Sequence, residues 1–223
     1  MGKIILGGGG SEKDSIEIDN LLKNLLNNSR KKILYIPIAL KGHKLYEGCY
    51  NWFTNIFNPK IFKITMWDKI KNRKFEDIKE FDAIYIGGGN TYNLLKEIKE
   101  SGFDKLLIKF IKSKKIIYGG SAGAIILGEN ISTSSDENKI KLTNFKGLKI
   151  IRNYSIWPHY TTKDDKRIFK YLNKKNSVNV IAIPEKSGAL IEKNKMKIYG
   201  NKEIIIFKKD YKLNLSPKKE VIL

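Results

Sequence analysis

The sequence predicts an α/β protein with a mainly parallel sheet sandwiched by helices. Three observations carry this. Short, nearly continuous apolar runs alternate with helical patterns from Lys3 to Tyr118, as expected of strands buried on both faces. Glycine clusters follow three of those runs, at Gly7–Gly10, Gly87–Gly89 and Gly119–Gly123, where a strand would turn toward a helix. Finally, 223 residues with 41% hydrophobic content can bury a sizeable core, and no linker-like stretch divides the chain, so one domain over 1–223 is expected.

Taken in order, Lys3–Leu6 reads as a strand and Ile16–Leu26 as an amphipathic helix with Ile18, Leu21, Leu22 and Leu25 on one face. Ile33–Ile38 reads as a strand and Lys44–Phe57 as a helix, followed by strands at Ile61–Trp67 and Ala83–Ile86. Helices are expected at Tyr92–Lys99 and Phe103–Ile111, and a strand at Lys115–Tyr118. Beyond it, Tyr154–Trp157 and Val178–Ile183 read as strands around a helix near Asp164–Leu172. Ala189–Phe207, broken by Lys193-Asn194-Lys195 and Gly200-Asn201-Lys202, predicts an antiparallel hairpin or meander.

The strand before Gly119 runs into Gly119-Gly120-Ser121-Ala122-Gly123 and then an apolar segment, which is G-x-S-x-G at a strand-to-helix turn. Small neighbours let such a turn close tightly and hold the serine hydroxyl above the strand ends. The first N–H groups of the helix can then face an oxyanion. Ser121 is therefore a candidate nucleophile, against the plainer reading of a solvated serine in a glycine-rich turn. Gly87-Gly88-Gly89-Asn90-Thr91 ends another strand, so it offers either a second oxyanion donor or only a tight turn capped by Asn90 or Thr91. Gly7–Gly10 fails the dinucleotide fingerprint, because its third glycine position falls at Glu12, and reads as a structural turn.

A serine hydroxyl needs a general base, most often a histidine oriented by a carboxylate. The chain has two histidines. His43 lies in a loop-like Lys41-Gly42-His43, whereas His159 follows a strand through Pro158, at the kind of edge where open α/β sheets build sites. His159 is thus the expected base, and His43 a surface or supporting residue. Two carboxylates compete to orient it: Glu185, which follows a strand through Pro184, and Asp136, in the polar segment Ser132–Asn138. Chain order alone leaves both open.

The segments IYIGGGNTYNLL at 84–95, YGGSAGAIILG at 118–128, WPHY at 157–160 and IPEKSGALI at 183–191 together resemble the aspartyl dipeptidase (peptidase E) and cyanophycinase family of serine peptidases. The resemblance spans most of the chain. It implies a class I glutamine-amidotransferase-like fold, Ser121 as nucleophile and His159 as base. It also implies Glu185 or Asp136 as acid, and oxyanion binding by the N–H groups of Gly88, Gly89 and Ala122. Asn90 and Arg167 become candidate substrate contacts. Aspartyl dipeptides are the first substrates to consider, although Lys186-Ser187 stands where the dipeptidases carry glycine.

Composition trims the other classes. The net charge of +20 would suit nucleic acid, but only Arg30, Arg73, Arg152 and Arg167 among 43 cations are arginines, and the lysines are spread along the chain. No specific nucleic-acid partner is expected. Cys49, the sole cysteine, excludes an intrachain disulfide and reads as buried filler. The apolar run at the start is too short for a signal peptide or membrane span, so a cytoplasmic enzyme is expected. The partner would be a small peptide, with no metal, cofactor or membrane, and a homodimer is left open. An esterase-like hydrolase and a non-catalytic binding or regulatory protein of the same fold are the competing classes.

Overall fold

A computed structural model describes residues 2–40, 46–175 and 178–223. In chain order its elements are β1 (Lys3–Gly7), α1 (Glu12–Leu25), β2 (Lys32–Ile36), α2 (Tyr46–Ile56), β3 (Lys63–Met66), α3 (Phe75–Ile78) and β4 (Ala83–Ile86). Then come α4 (Thr91–Glu100), α5 (Phe103–Lys112), β5 (Ile116–Gly120), α6 (Ala122–Leu127), β6 (Tyr154–Pro158), α7 (Asp165–Lys174) and β7 (Asn179–Ile183). The chain closes with β8 (Ser187–Glu192), β9 (Lys195–Gly200), β10 (Ile204–Phe207), β11 (Lys212–Leu215) and β12 (Glu220–Ile222).

These strands form two sheets. The larger has the order β12-β9-β8-β1-β5-β4-β2-β3, and the smaller the order β11-β10-β7-β6. From β1 to β3 the large sheet is parallel, while β8, β9 and β12 extend it antiparallel beyond β1. In the small sheet β6 and β7 are parallel, and β10 and β11 antiparallel.

The continuous apolar runs follow from burial on both faces, because successive side chains of a strand point opposite ways. Ile5, Ile33, Tyr35, Ala83, Tyr85, Ile116 and Tyr118 pack with Ile18 and Leu22 of α1 and Phe53 of α2. Their neighbours Ile4, Leu6, Leu34, Ile36, Ile84, Ile86 and Ile117 belong to the core that holds α4, α5, α6 and one face of the small sheet. The opposite face of the small sheet, with Val180, Ala182 and Phe207, is covered by Ile168, Tyr171 and Leu172 of α7.

The α/β class and the central elements agree with expectation, and the C-terminal part is more divided than the sequence suggested. β8 and β9 form the hairpin. β10 then leaves for the small sheet, where it pairs with β7. A hairpin needs only a local turn, whereas the choice of sheet for β10 depends on a partner far away in the chain. β11 and β12 were not anticipated. The predicted start of the second helix, Lys44, lies outside the described residues.

Candidate active site

The order of the parallel strands places β5 between β1 and β4. The glycine turns after these three strands therefore meet at one carboxyl edge, where open α/β sheets place their sites. Ser121 sits at the middle of that edge with φ 49° and ψ −112°. A non-glycine residue with such a positive φ is strained, and the surroundings must hold it there. Gly119 and Gly123 do so by letting backbones approach: a Cβ on Gly119 would press into Gly123, and one on Gly123 would collide with Ile86. Every residue of α6 is buried, so the turn rests on a helix locked in the core.

Beside the serine, Gly88 comes close enough that a Cβ there would lie 3.3 Å from the Ser121 Cβ and 3.7 Å from its Oγ. Gly89, with φ 133°, packs on Ala39, where a side chain would collide. Among the described residues the N–H groups of Gly88, Gly89 and Ala122 have no backbone acceptor, while the flanking Gly87 and Asn90 donate to Ile36 and Ala39. Three candidate oxyanion donors are thus left open around Ser121.

His159 arrives from the small sheet. Pro158 pairs in register with Ile183, so the segments leaving β6 and β7 emerge side by side and bring His159 next to Glu185. The Ser121 Oγ lies 2.9 Å from His159 Nε2, and His159 Nδ1 lies 2.8 Å from Glu185 Oε1. Both partners are about half exposed, at 46% and 45%. The first glycine turn fixes the imidazole. Gly8 accepts the His159 backbone N–H at 2.8 Å, and a Cβ on Gly9, whose φ is 86°, would overlap the ring. This role of Gly8 and Gly9 was missed in reading the turn as structural only. Four consecutive glycines were the available signal.

Asp136 stands on the other side of Ser121. Its Oδ2 accepts the Thr91 N–H at 2.7 Å and the Ser134 hydroxyl at 2.8 Å, so it is tied to the start of α4 and has no hydrogen bond to His159. Asn90 caps α4 by accepting the Asn93 N–H and donates to the Glu137 carbonyl. Arg167 projects from α7, bonded to Asp164 at 3.1 Å and lying 5.1 Å from the Trp157 ring centre. A polar cavity of about 180 Å³ joins Ser121, His159, Asp136 and Arg167. Asn90 lines neither this cavity nor the larger one on the opposite side of Ser121. Cys49 is buried in α2 beside Tyr35, and burial pushes its thiol pKa up. His43 lies outside the described residues.

Among the described residues no group of three or more histidine, cysteine or acidic side chains could hold a metal, and no helix is long and apolar enough to cross a membrane. A serine, a histidine and a carboxylate hydrogen-bonded in series, beside open N–H groups at the carboxyl edge of a parallel sheet, form the arrangement of a serine hydrolase.

Comparison with known proteins narrows the class. The model of peptidase family S51 matches residues 4–199, and the chain belongs to that family. It is therefore a serine-type peptidase. Peptidase E of Nostoc sp. (strain PCC 7120) is 27% identical over 196 residues, covering 84% of this chain and 80% of the relative. The uncharacterized peptidase YgaJ of Bacillus subtilis (strain 168) is 32% identical over 171 residues, covering 74% of this chain and 70% of the relative. A crystal structure of a peptidase from an acI-B1 Actinobacterium shares the fold with a TM-score of 0.76 at 18% identity, covering 100% of this chain and 97% of the other.

Proposed function

We propose that the protein is a cytoplasmic exopeptidase that hydrolyses small peptides, aspartyl dipeptides first among them, through an acyl-enzyme on Ser121. The observation that carries this reading is the series of contacts from Ser121 Oγ to His159 Nε2 at 2.9 Å and from His159 Nδ1 to Glu185 Oε1 at 2.8 Å. His159 takes the hydroxyl proton as Ser121 Oγ attacks the peptide carbonyl. The Gly88, Gly89 and Ala122 N–H groups receive the developing oxyanion. The proton then passes from His159 Nε2 to the leaving amine, the C–N bond breaks, and water releases the acyl group by the same route in reverse. Glu185 keeps Nδ1 protonated and stabilises the imidazolium.

The polar cavity supports a small acidic residue on the acyl side. Its volume of about 180 Å³ has room for one short residue, which fits removal from a chain end. Arg167, whose Nη1 is bonded to Asp164, has its other guanidinium N–H groups for a side-chain carboxylate, and Asp136, whose Oδ2 is already occupied by Thr91 and Ser134, keeps Oδ1 for an ammonium. Labelling by a fluorophosphonate, read by intact mass and peptide mapping, tests the reading. Wild-type protein should be modified at Ser121 alone, and Ser121→Ala should lose both labelling and turnover with its fold intact. Equal labelling of the alanine variant would refute the assignment.

A further inference from the structure

The larger cavity, about 430 Å³, opens on the other side of Ser121 and His159 from the polar one. Its deep wall is a row of tyrosines. Tyr35, Tyr85 and Tyr118 are in register on neighbouring strands β2, β4 and β5 and point to the α1/α2 face of the sheet. Tyr85 and Tyr118 stack with ring centres 4.1 Å apart, and Tyr35 meets Tyr85 edge-on at 5.7 Å. Trp52 of α2 packs against the same row and lines the cavity beside it, with its ring centre 6.2 Å from Tyr35 and 6.3 Å from Tyr85.

The glycines of the three turns keep the passage from Ser121 open. A Cβ on Gly7 would stand 3.1 Å from Tyr118 Oη, one on Gly87 3.4 Å from Tyr35 Oη, and one on Gly120 3.6 Å from Tyr85 Oη. Among the described residues no lysine or arginine lines the cavity, in a chain with 43 cations. Asp14, at its margin, is already engaged by Ser11 and by Lys186 at 3.7 Å. Burial pushes the Tyr35, Tyr85 and Tyr118 phenols up, so the wall stays uncharged at any physiological pH. A cavity of this size, with aromatic walls and few polar groups, suits an apolar ligand group.

We propose that this cavity is the subsite for the leaving residue of the peptide, and that it selects an aromatic or large aliphatic side chain there. The inference rests on the serine-peptidase reading above. If the polar cavity holds the short acidic residue that becomes the acyl group, a peptide crossing Ser121 places its next residue in the tyrosine-walled space. The substrate class is then an acidic residue followed by a bulky apolar one.

Calorimetric binding to the Ser121→Ala protein separates the two ideas, because it needs no turnover. Asp-Phe should bind about tenfold or more tightly than Asp-Ala, the range expected when an apolar pocket is filled rather than left empty. Wild-type kcat/KM should show the same order. Trp52→Ala, which removes one wall, and Gly48→Leu, which fills the space from α2, should each reduce the ratio to about twofold or less. These variants are compared when circular dichroism shows a native fold and Ser121 is still labelled. Equal affinity for Asp-Phe and Asp-Ala would overturn the subsite, as would a preference untouched by both variants. Tighter binding of Phe-Asp than Asp-Phe would overturn its placement on the leaving side. Selective binding without turnover of any dipeptide by the wild type would leave the apolar selectivity of the cavity standing and refute the dipeptidase reading.

Discussion

At the residue scale, two carboxylates flank Ser121, and hydrogen bonding separates them. Glu185 faces the His159 ring, while Asp136 is spent on the Thr91 N–H and the Ser134 hydroxyl. Glu185→Gln should therefore lower kcat by about two to four orders of magnitude, as expected when the group orienting a base is neutralised. Asp136→Asn should act mainly on KM for peptides with a free amino terminus. Steady-state kinetics on both variants check this, and a kcat collapse confined to Asp136→Asn would reverse the roles. A third acid, Asp19, is buried beneath the tyrosine row. The Ser15 and Tyr118 hydroxyls lie near it, but neither carboxylate oxygen has a partner of full hydrogen-bond geometry, and desolvation raises its pKa to about 6. A folded-state pKa above the unfolded value of 3.8 means that the contribution of Asp19 to stability is greatest below pH 4 and is lost as pH rises through 6. That gap corresponds to on the order of 3 kcal/mol. Asp19→Asn should accordingly raise the unfolding midpoint at pH 8, with the gain fading toward pH 4. Thermal unfolding across that range measures it, and a gain independent of pH would point to another cause.

At the element scale, the turn joining β1 to α1 links the two sheets. Gly8 accepts the His159 N–H and donates to Ser187 O at 3.0 Å, so the edge of the large sheet is tied to the end of β6 and the start of β8. Gly9 sets the depth of the imidazole. Gly9→Ala should push the ring away from Ser121 and strain a backbone at φ 86°, costing about 1 kcal/mol of stability while lowering kcat at least tenfold. Urea unfolding together with turnover checks both parts. Loss of stability with full kcat would show that the histidine does not depend on the turn. The elements that position the site were legible in different degrees. The Ser121 turn is local, because small residues between a strand and a helix state their conformation directly. The approach of β6 to β7 is set by pairing between segments separated by α7, so no local pattern could reveal that Pro158 would lie opposite Ile183.

At the scale of the whole molecule, a net charge of +20 creates a field that attracts acidic ligands and repels the protein from itself. Raising ionic strength from about 20 to 200 mM shortens the screening length severalfold. It should reduce kcat/KM for acidic dipeptides several-fold, leave neutral ones nearly unchanged, and raise the unfolding temperature modestly. A salt response shared equally by acidic and neutral peptides would remove steering as its cause.

The sequence by itself determined the alternation of strand and helix, the Ser121 turn and the choice of His159 over His43 as the expected base, since each rests on neighbours within a few residues. Membership in a serine peptidase family was also legible there, because its motifs are contiguous. Only the tertiary structure decided which carboxylate meets His159, that β10 joins a second sheet, and that Gly9 backs the imidazole. The tyrosine-walled cavity belongs with these. Tyr35, Tyr85 and Tyr118 sit in three separate apolar runs, and nothing in those runs says that they would line up under Ser121. Strand order and register place them there, and both are settled by burying two faces of a sheet at once, a constraint that no single segment contains.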